Sequence, residues 1–439
     1  MIKEDMYKGN RVGAFPEADG HGCISSHVKR IGHQDTPGGA QLVCQDGYLF
    51  VGHISPPAGT SIFDVRDPRN PSLAAKIELP DSQSHSHKVM VHGDLMIVNS
   101  QRHRRKFFRK SEALNSVEAR FALEFGRQPT EKEIAQTLNV KPEDIDTLRA
   151  ELENGYSNGG FRIYDISNPA RPHALSFQPT GGMGAHGFDF DGQYAYVSTE
   201  MHGFRGNILV IYSLADPEKP QEVSRWWMPG QETEGSKTGP VNGHWLHHAL
   251  RYENTLWAAC SLSGVWAIDI TDINNPVTAG SYNYHPPFIE STHTVMGIPQ
   301  VYQDKKLALV IDEEHDNHPR GQPHAALWVL DVTERANIRP LSVFEVSELE
   351  SPWSRSGSRF GASQIVERST GNLTFAAWFA GGLRVIDIGD PLAPREYGYF
   401  VPPPPPGFAA PQSMDVEVDE RGIVYLLDRN RGLDILEVS

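Results

Sequence analysis

One segment recurs seven times along the chain, and that repetition restricts the fold more than any other property of the sequence. The copies are SIFDVRDPRNP from Ser61, FRIYDISNPARP from Phe161, ILVIYSLADPEKP from Ile208, VWAIDITDINNP from Val265, LWVLDVTERANIRP from Leu327, LRVIDIGDPLAP from Leu383, and LDILEVS at the end. Every copy but the last is an apolar, β-branched run followed by a proline-containing turn, the pattern of a strand stopped by turn chemistry. The residue at the junction is Asp64, Asp165, Asp269, Asp331 or Asp387, with Ser213 and Glu437 in the other two copies. Short polar side chains there bond the amides of their own turn, so this column is read as structural. A hairpin-like strand pair precedes each copy, as in HGFDFDGQYAYVSTE from His186, and another short strand follows most of them. Four strands per repeat, seven times over, predict an all-β, seven-bladed β-propeller.

A chain of 439 residues would otherwise divide into two domains. The seventh copy ends at its third strand, so a fourth must come from elsewhere, and CISSHVKRI near the N-terminus is the expected donor. Closure of this kind makes residues 1–439 one domain. The repeat core, apolar-x-apolar-apolar-Asp-apolar before a proline turn, resembles the LVIVD-repeat propeller family, a likeness that implies architecture rather than activity.

In a propeller the first strand of each blade lines the axis and the second runs back, so the start of the first and the end of the second share a face. Aligning the blades on their bends puts His87, His186, His248 and His293 at the start of the innermost strand in blades two to five. The ends of the second strands superpose Gln101 and His103, Glu200 and His202, and Glu313 and His315 on the same face. Four imidazoles in register suit a mononuclear divalent transition metal, with Fe placed first and Cu, Mn or Zn as the other candidates. In this reading His87, His186, His248 and His293 are the ligands, and Gln101, Glu200 and Glu313 orient them from behind. His103, His202 and His315 are the candidate catalytic proton carriers. His85 is read as a substitute or substrate contact, and His247, one residue out of phase with His248, as packed between blades. His244, His318 and His324 have no assignable partner. The arrangement looks like that of the carotenoid cleavage oxygenases, and also like the selenium-binding or methanethiol oxidase proteins. Those likenesses imply an oxidative metalloenzyme.

Blade two carries a long insertion, residues 104–157, between its second and third strands. TEKE from Thr130 is a capping box, KPED from Lys141 starts another helix, and Ile134, Leu138, Ile145 and Leu148 recur at helical spacing. The pair resembles the helix-turn-helix of bacterial sigma factors. Its second helix, however, carries Glu143, Asp144, Asp146, Glu151 and Glu153 against one arginine, Arg149, the wrong charge for a phosphate backbone. The insertion leaves on the histidine face, where it is expected to act as a lid or as a contact between copies in a homo-oligomer.

The formal charge of −15 disfavours nucleic acid and anionic lipid as partners. No stretch reads as a membrane span, and the protein is expected to be cytoplasmic. Cys23, Cys44 and Cys260 are too scattered for a disulfide framework or a thiolate metal site. The functional expectation is therefore a metal-dependent oxygenase or oxidase acting on a small-molecule substrate at the axis. A metal-dependent lyase or hydrolase, or a non-enzymatic scaffold binding a partner protein, are the alternatives.

Overall fold

The structure, a computed structural model, describes residues 23–234, 245–315, 323–368 and 371–439. All of its sheet ladders are antiparallel. Five sheets of four or five strands and one nine-stranded sheet, itself two blades joined through the pair Gly184 and Gln101, make up the ring. The third strand of each blade is the recurring segment: Ala58–Asp64, Gly160–Asp165, Asn207–Ser213, Val265–Asp269, Leu327–Asp331, Gly382–Asp387 and Gly432–Val438.

The sequence of these strands follows from what covers them. Each blade is packed on both faces by its neighbours, so Ile208, Leu209, Val210 and Ile211 are consecutive, apolar and fully buried. The outermost strands have no such cover. Ser72–Glu78 mixes exposed and half-buried residues and reads accordingly as a mixed, charged edge. Beyond each third strand the junction residue caps its own turn. Asp165 accepts from Ser167 N at 2.7 Å, Asp269 from Thr271 N at 2.8 Å, Asp387 from Gly389 N at 2.8 Å, and Ser213 Oγ from Ala215 N at 3.4 Å.

The two chain ends meet in the last blade. Val28–Asp35 pairs with Gly432–Val438 as its fourth strand, while Cys23–Ile24 adds a fifth strand to the preceding blade by pairing with Val401 and Phe400. The expected donor segment thus divides between two blades. Asp434, fully buried, ties the seam through an ion pair with Arg30 at 2.6 Å and a hydrogen bond with His33 at 3.0 Å.

Within residues 104–157 the helices are Arg105–Phe108, Leu114–Phe125, Glu131–Leu138 and Ile145–Asn154. Thr130 and Glu133 form the capping box. Leu114, Val117, Ile134, Leu138, Ile145 and Leu148 make a small core of their own. Two ion pairs fasten it to the propeller: Arg102 grips Glu151 through two bonds of 3.0 and 2.6 Å, and Arg109 pairs with Glu200. None of the described helices is long and apolar enough to cross a membrane.

Candidate functional site at the propeller axis

A backbone device decides which side chains reach the axis. In five blades the first ladder shifts register near the start of the innermost strand, at Ala40, at His186 and Gly187, at His293, at Ser363 and at Met414. Such a bulge inserts one unpaired residue and re-aims its side chain. Blade four has no shift: His248 pairs regularly with Ala259, and the residue before it, His247, donates its N–H to Ala259 O at 2.8 Å. Here the axial place falls one residue earlier, to His247. The assignment of His248 as an axial ligand, and of His247 as a residue between blades, is therefore reversed. Gly187 permits the close approach of the two blades, since a Cβ there would stand 2.8 Å from that of His248.

The rings of His87, His186, His247 and His293 form a continuous row. Their centroids lie 4.8 Å apart for His87 and His186, 4.5 Å for His186 and His247, and 3.9 Å for His247 and His293. Hydrogen bonds fix which nitrogen of each ring is free. His186 Nδ1 donates to Gln101 Oε1 at 3.1 Å. The Thr294 hydroxyl donates to Gln364 Oε1 at 2.5 Å, so it accepts from His293 Nδ1 at 2.9 Å. His247 Nδ1 lies 2.8 Å from His248 Nδ1, and His248 Nε2 lies 3.3 Å from Glu367 Oε1. A proton on His248 Nε2 facing that carboxylate leaves its Nδ1 to accept from His247. All three rings then keep an Nε2 lone pair. His87 differs, because its Nδ1 accepts from Asn99 Nδ2 at 3.0 Å and lies 3.0 Å from His85 Nε2. Its proton sits on Nε2, so this ring presents a donor where a ligand was expected.

Glu313 completes the group. Single donor atoms of His247, His293 and Glu313 all lie within 4.8 Å of one another, the one such cluster of potential metal-binding groups among the described residues. Glu313 Oε2 stands 3.9 Å from His293 Nε2 and 3.8 Å from His315 Nε2, and Oε1 stands 3.4 Å from Arg359 Nη1. Expected behind the ligands, this carboxylate instead lies among them. Glu200 is drawn away: Arg109 and the N–H of Met183, 2.9 Å distant, occupy its oxygens. Gln101 does sit behind a ring, that of His186.

Of the expected proton carriers, His315 is beside Glu313 and also 3.9 Å from Glu290. His103 is bonded to Ile54 O at 3.2 Å and meets the row only through His85, 5.9 Å away between centroids. His202 is exposed and touches none of these groups, because the chain turns outward after Glu200. His324 is clamped between Glu314 at 2.8 Å and Glu348 at 3.2 Å. His244 and His318 lie outside the described residues.

Burial dominates the electrostatics. It drives the pKa values of His87, His186 and His247 well below the ordinary imidazole value, aided by the charge of Arg105 and by neighbouring rings. Burial likewise takes His293 down to about 4 against the opposing pull of Glu313. Neutral rings are the form that binds a cation. For Glu313 burial works against ionisation, yet His293, His315, Arg359 and Arg429 outweigh it and hold the carboxyl at about 2.

Behind His248, Glu367 Oε1 accepts from Lys88 Nζ at 2.6 Å and Gln364 Nε2 at 3.1 Å. Glu367 also borders a cavity of about 1100 Å³ walled by the far ends of the innermost strands, including Asp415 and Glu417. A polar chain of Glu367 and His248 runs from that cavity to His247 in the histidine row.

The LVIVD repeat family matches residues 155–177 and 369–400. The chain is a β-propeller that carries LVIVD repeats. Solved structures agree on the fold. The C-terminal WD40 domain of Sif2 superposes with a TM-score of 0.53 at 10% identity, covering 94% of this chain and 98% of that one. A Lactobacillus plantarum protein gives 0.53 at 10% identity over 89% and 88% of the two chains. A chain of the mitotic checkpoint complex gives 0.52 at 10% identity over 97% and 96%. At such identity the likeness carries architecture alone. No curated protein matches the sequence.

Proposed function

We propose that the protein is a metal-dependent enzyme acting on a small organic molecule at the propeller axis, with His247, His293 and Glu313 holding one divalent transition metal ion and His186 as the neighbouring ring beside them. The supporting observation is the meeting of His247 and His293, whose Nδ1 atoms are already committed and whose Nε2 atoms are free, with the ionised carboxylate of Glu313. Buried, neutral histidines with a single carboxylate and no thiolate are a donor set for iron, copper, manganese or zinc. Two histidines and one carboxylate with open positions are the set used by non-haem iron oxygenases, which places iron and oxidative chemistry first. The set differs by its carboxylate from the four-histidine arrangement that the carotenoid cleavage oxygenases suggest.

When bound, the ion supplies redox or Lewis-acid chemistry at its open positions. The chain's residues do the rest. Gln101, His248 and Thr294 hold the three rings in orientation and tautomer. His87 presents its Nε2–H as a hydrogen-bond donor beside the row. His315, half-buried against Glu313, is the proton carrier best placed to exchange with solvent. The helices of residues 104–157, held over this face through Arg109 and Glu200, exclude water from it.

Elemental analysis of untagged protein, followed by oxygen uptake across a panel of unsaturated and aromatic compounds, tests the reading. One transition metal ion per chain with substrate-dependent oxygen consumption supports it. Metal with hydrolysis or elimination but no oxygen uptake replaces oxidation by the lyase or hydrolase chemistry. A chain that takes up no ion is a scaffold.

A further inference from the structure

Two guanidinium groups on the histidine face form no ion pair with any described residue, and the carboxylate of Glu313 is the acidic group whose charge both of them feel. Arg105 opens the first helix of residues 104–157, three residues beyond the end of the second strand of blade two, Leu95–Arg102, and Arg429 directly follows the second strand of blade seven, Ile423–Asp428. Both are half-buried, and neither side chain makes a hydrogen bond or ion pair with any described residue. The Arg429 Nε–H is enclosed with no acceptor. Neighbouring arginines are committed: Arg102 to Glu151, Arg109 to Glu200, and Arg359 to Glu313 and the ring of Phe379. The Arg105 charge acts on His85, His87, His186 and His247 and is itself offset by Glu313, and that of Arg429 acts on His85 and Glu313.

The local balance is unlike the rest of the molecule. A chain of net charge −15 places two unmatched positive charges around one carboxylate that Arg359 already neutralises. A divalent ion at the histidines adds two more. Half-burying a guanidinium without an anion is costly, and evolution of a stable fold alone would place a carboxylate there or remove the arginine. Its planar fork of donors matches a carboxylate through two parallel hydrogen bonds.

We propose that the substrate of this site is a small organic acid, whose carboxylate is held by Arg105 and Arg429 while its neutral part faces the imidazole row. The inference rests on the reading of the axis as a substrate site, and it adds the class of substrate. Arg105 belongs to the helical insertion, so the insertion contributes a binding group as well as cover. The two arginines belong to blades two and seven, and they share a face because the ring closes.

Calorimetric titration of the full chain with acetate, benzoate and benzyl alcohol at low chloride tests this, in metal-loaded and metal-stripped protein. Arg105→Gln and Arg429→Gln are the variants, with thermal melts confirming that each folds. Wild type binds the carboxylates, each variant binds them ~10- to 100-fold more weakly, and the response to benzyl alcohol is the same in all three proteins. Carboxylate binding that is absent in wild type, or unchanged in both variants, overturns the proposal. Arginine-dependent binding in a chain that takes up no metal defeats the metal reading alone. Bound metal without arginine-dependent binding defeats the organic-acid proposal alone.

Discussion

His247 and His248 are adjacent, yet the structure gives them different roles, and substitution of each by alanine separates those roles. His247→Ala deletes a ring from the metal-binding group. Structural zinc sites bind with about 10–16 kcal/mol shared over four ligands, so one ligand accounts for about 3–4 kcal/mol, or ~10²- to 10³-fold in affinity. His248→Ala leaves the ligands in place and removes the acceptor of the His247 Nδ1–H, a loss of ~10- to 100-fold. Stability should run the other way. His248 is fully buried, and its truncation leaves a gap beside Glu367, which keeps Lys88 and Gln364, for about 2–4 kcal/mol; His247 is half-buried and costs less than half of that. Competition of cobalt(II) or zinc between each variant and a chromogenic chelator gives the affinities, and urea unfolding of the metal-free proteins gives the stabilities. A His248 variant that loses more affinity than the His247 variant would refute the bulge argument.

Three further outcomes are expected. Glu367→Gln keeps the size of the side chain but removes the charge that orients His248 and neutralises Lys88, so metal affinity should fall ~10- to 100-fold in a chelator competition. Deleting residues 23–35 removes the strand that closes the ring and leaves the buried Asp434 carboxylate without Arg30 and His33; that loss alone is about 3–5 kcal/mol, a large part of a domain's stability, and the truncated chain should show no cooperative melt. His324, raised to about 9 by Glu314 and Glu348, contributes stability that is complete below its free value of 6.5 and is lost as pH rises through about 9. After discounting for solvent the loss is about 1–2 kcal/mol between pH 7 and 10, and it should be absent from urea titrations of His324→Gln.

The architecture was legible because each repeat states its own structure. A strand packed on both faces must be apolar throughout, and the turn after it needs a short side-chain acceptor, so the column of Asp64, Asp165, Asp269, Asp331 and Asp387 marks the blades in the chain itself. The number of histidines converging on one face was legible for the same reason. Their register was not. A bulge is one extra backbone residue with no obligatory side chain, and its presence in blades three and five but not in blade four shifts the axial position from His248 to His247. The fate of Glu200 and the placement of Arg105 depend on how a helical insertion docks on the ring, which is a contact between distant segments. Residue spacing within either segment carries no trace of it. His324 was invisible in a similar way, since its partners Glu314 and Glu348 come together only in the fold.

X-ray absorption spectroscopy of untagged, metal-replete protein tests the central assignment most directly. The expected spectrum is that of one ion per chain with only nitrogen and oxygen neighbours at about 2.0–2.2 Å and the scattering pattern of several imidazoles, lost in His247→Ala. A protein that retains no ion, or an ion with sulfur neighbours at about 2.3 Å, would contradict a histidine-carboxylate centre on the propeller axis.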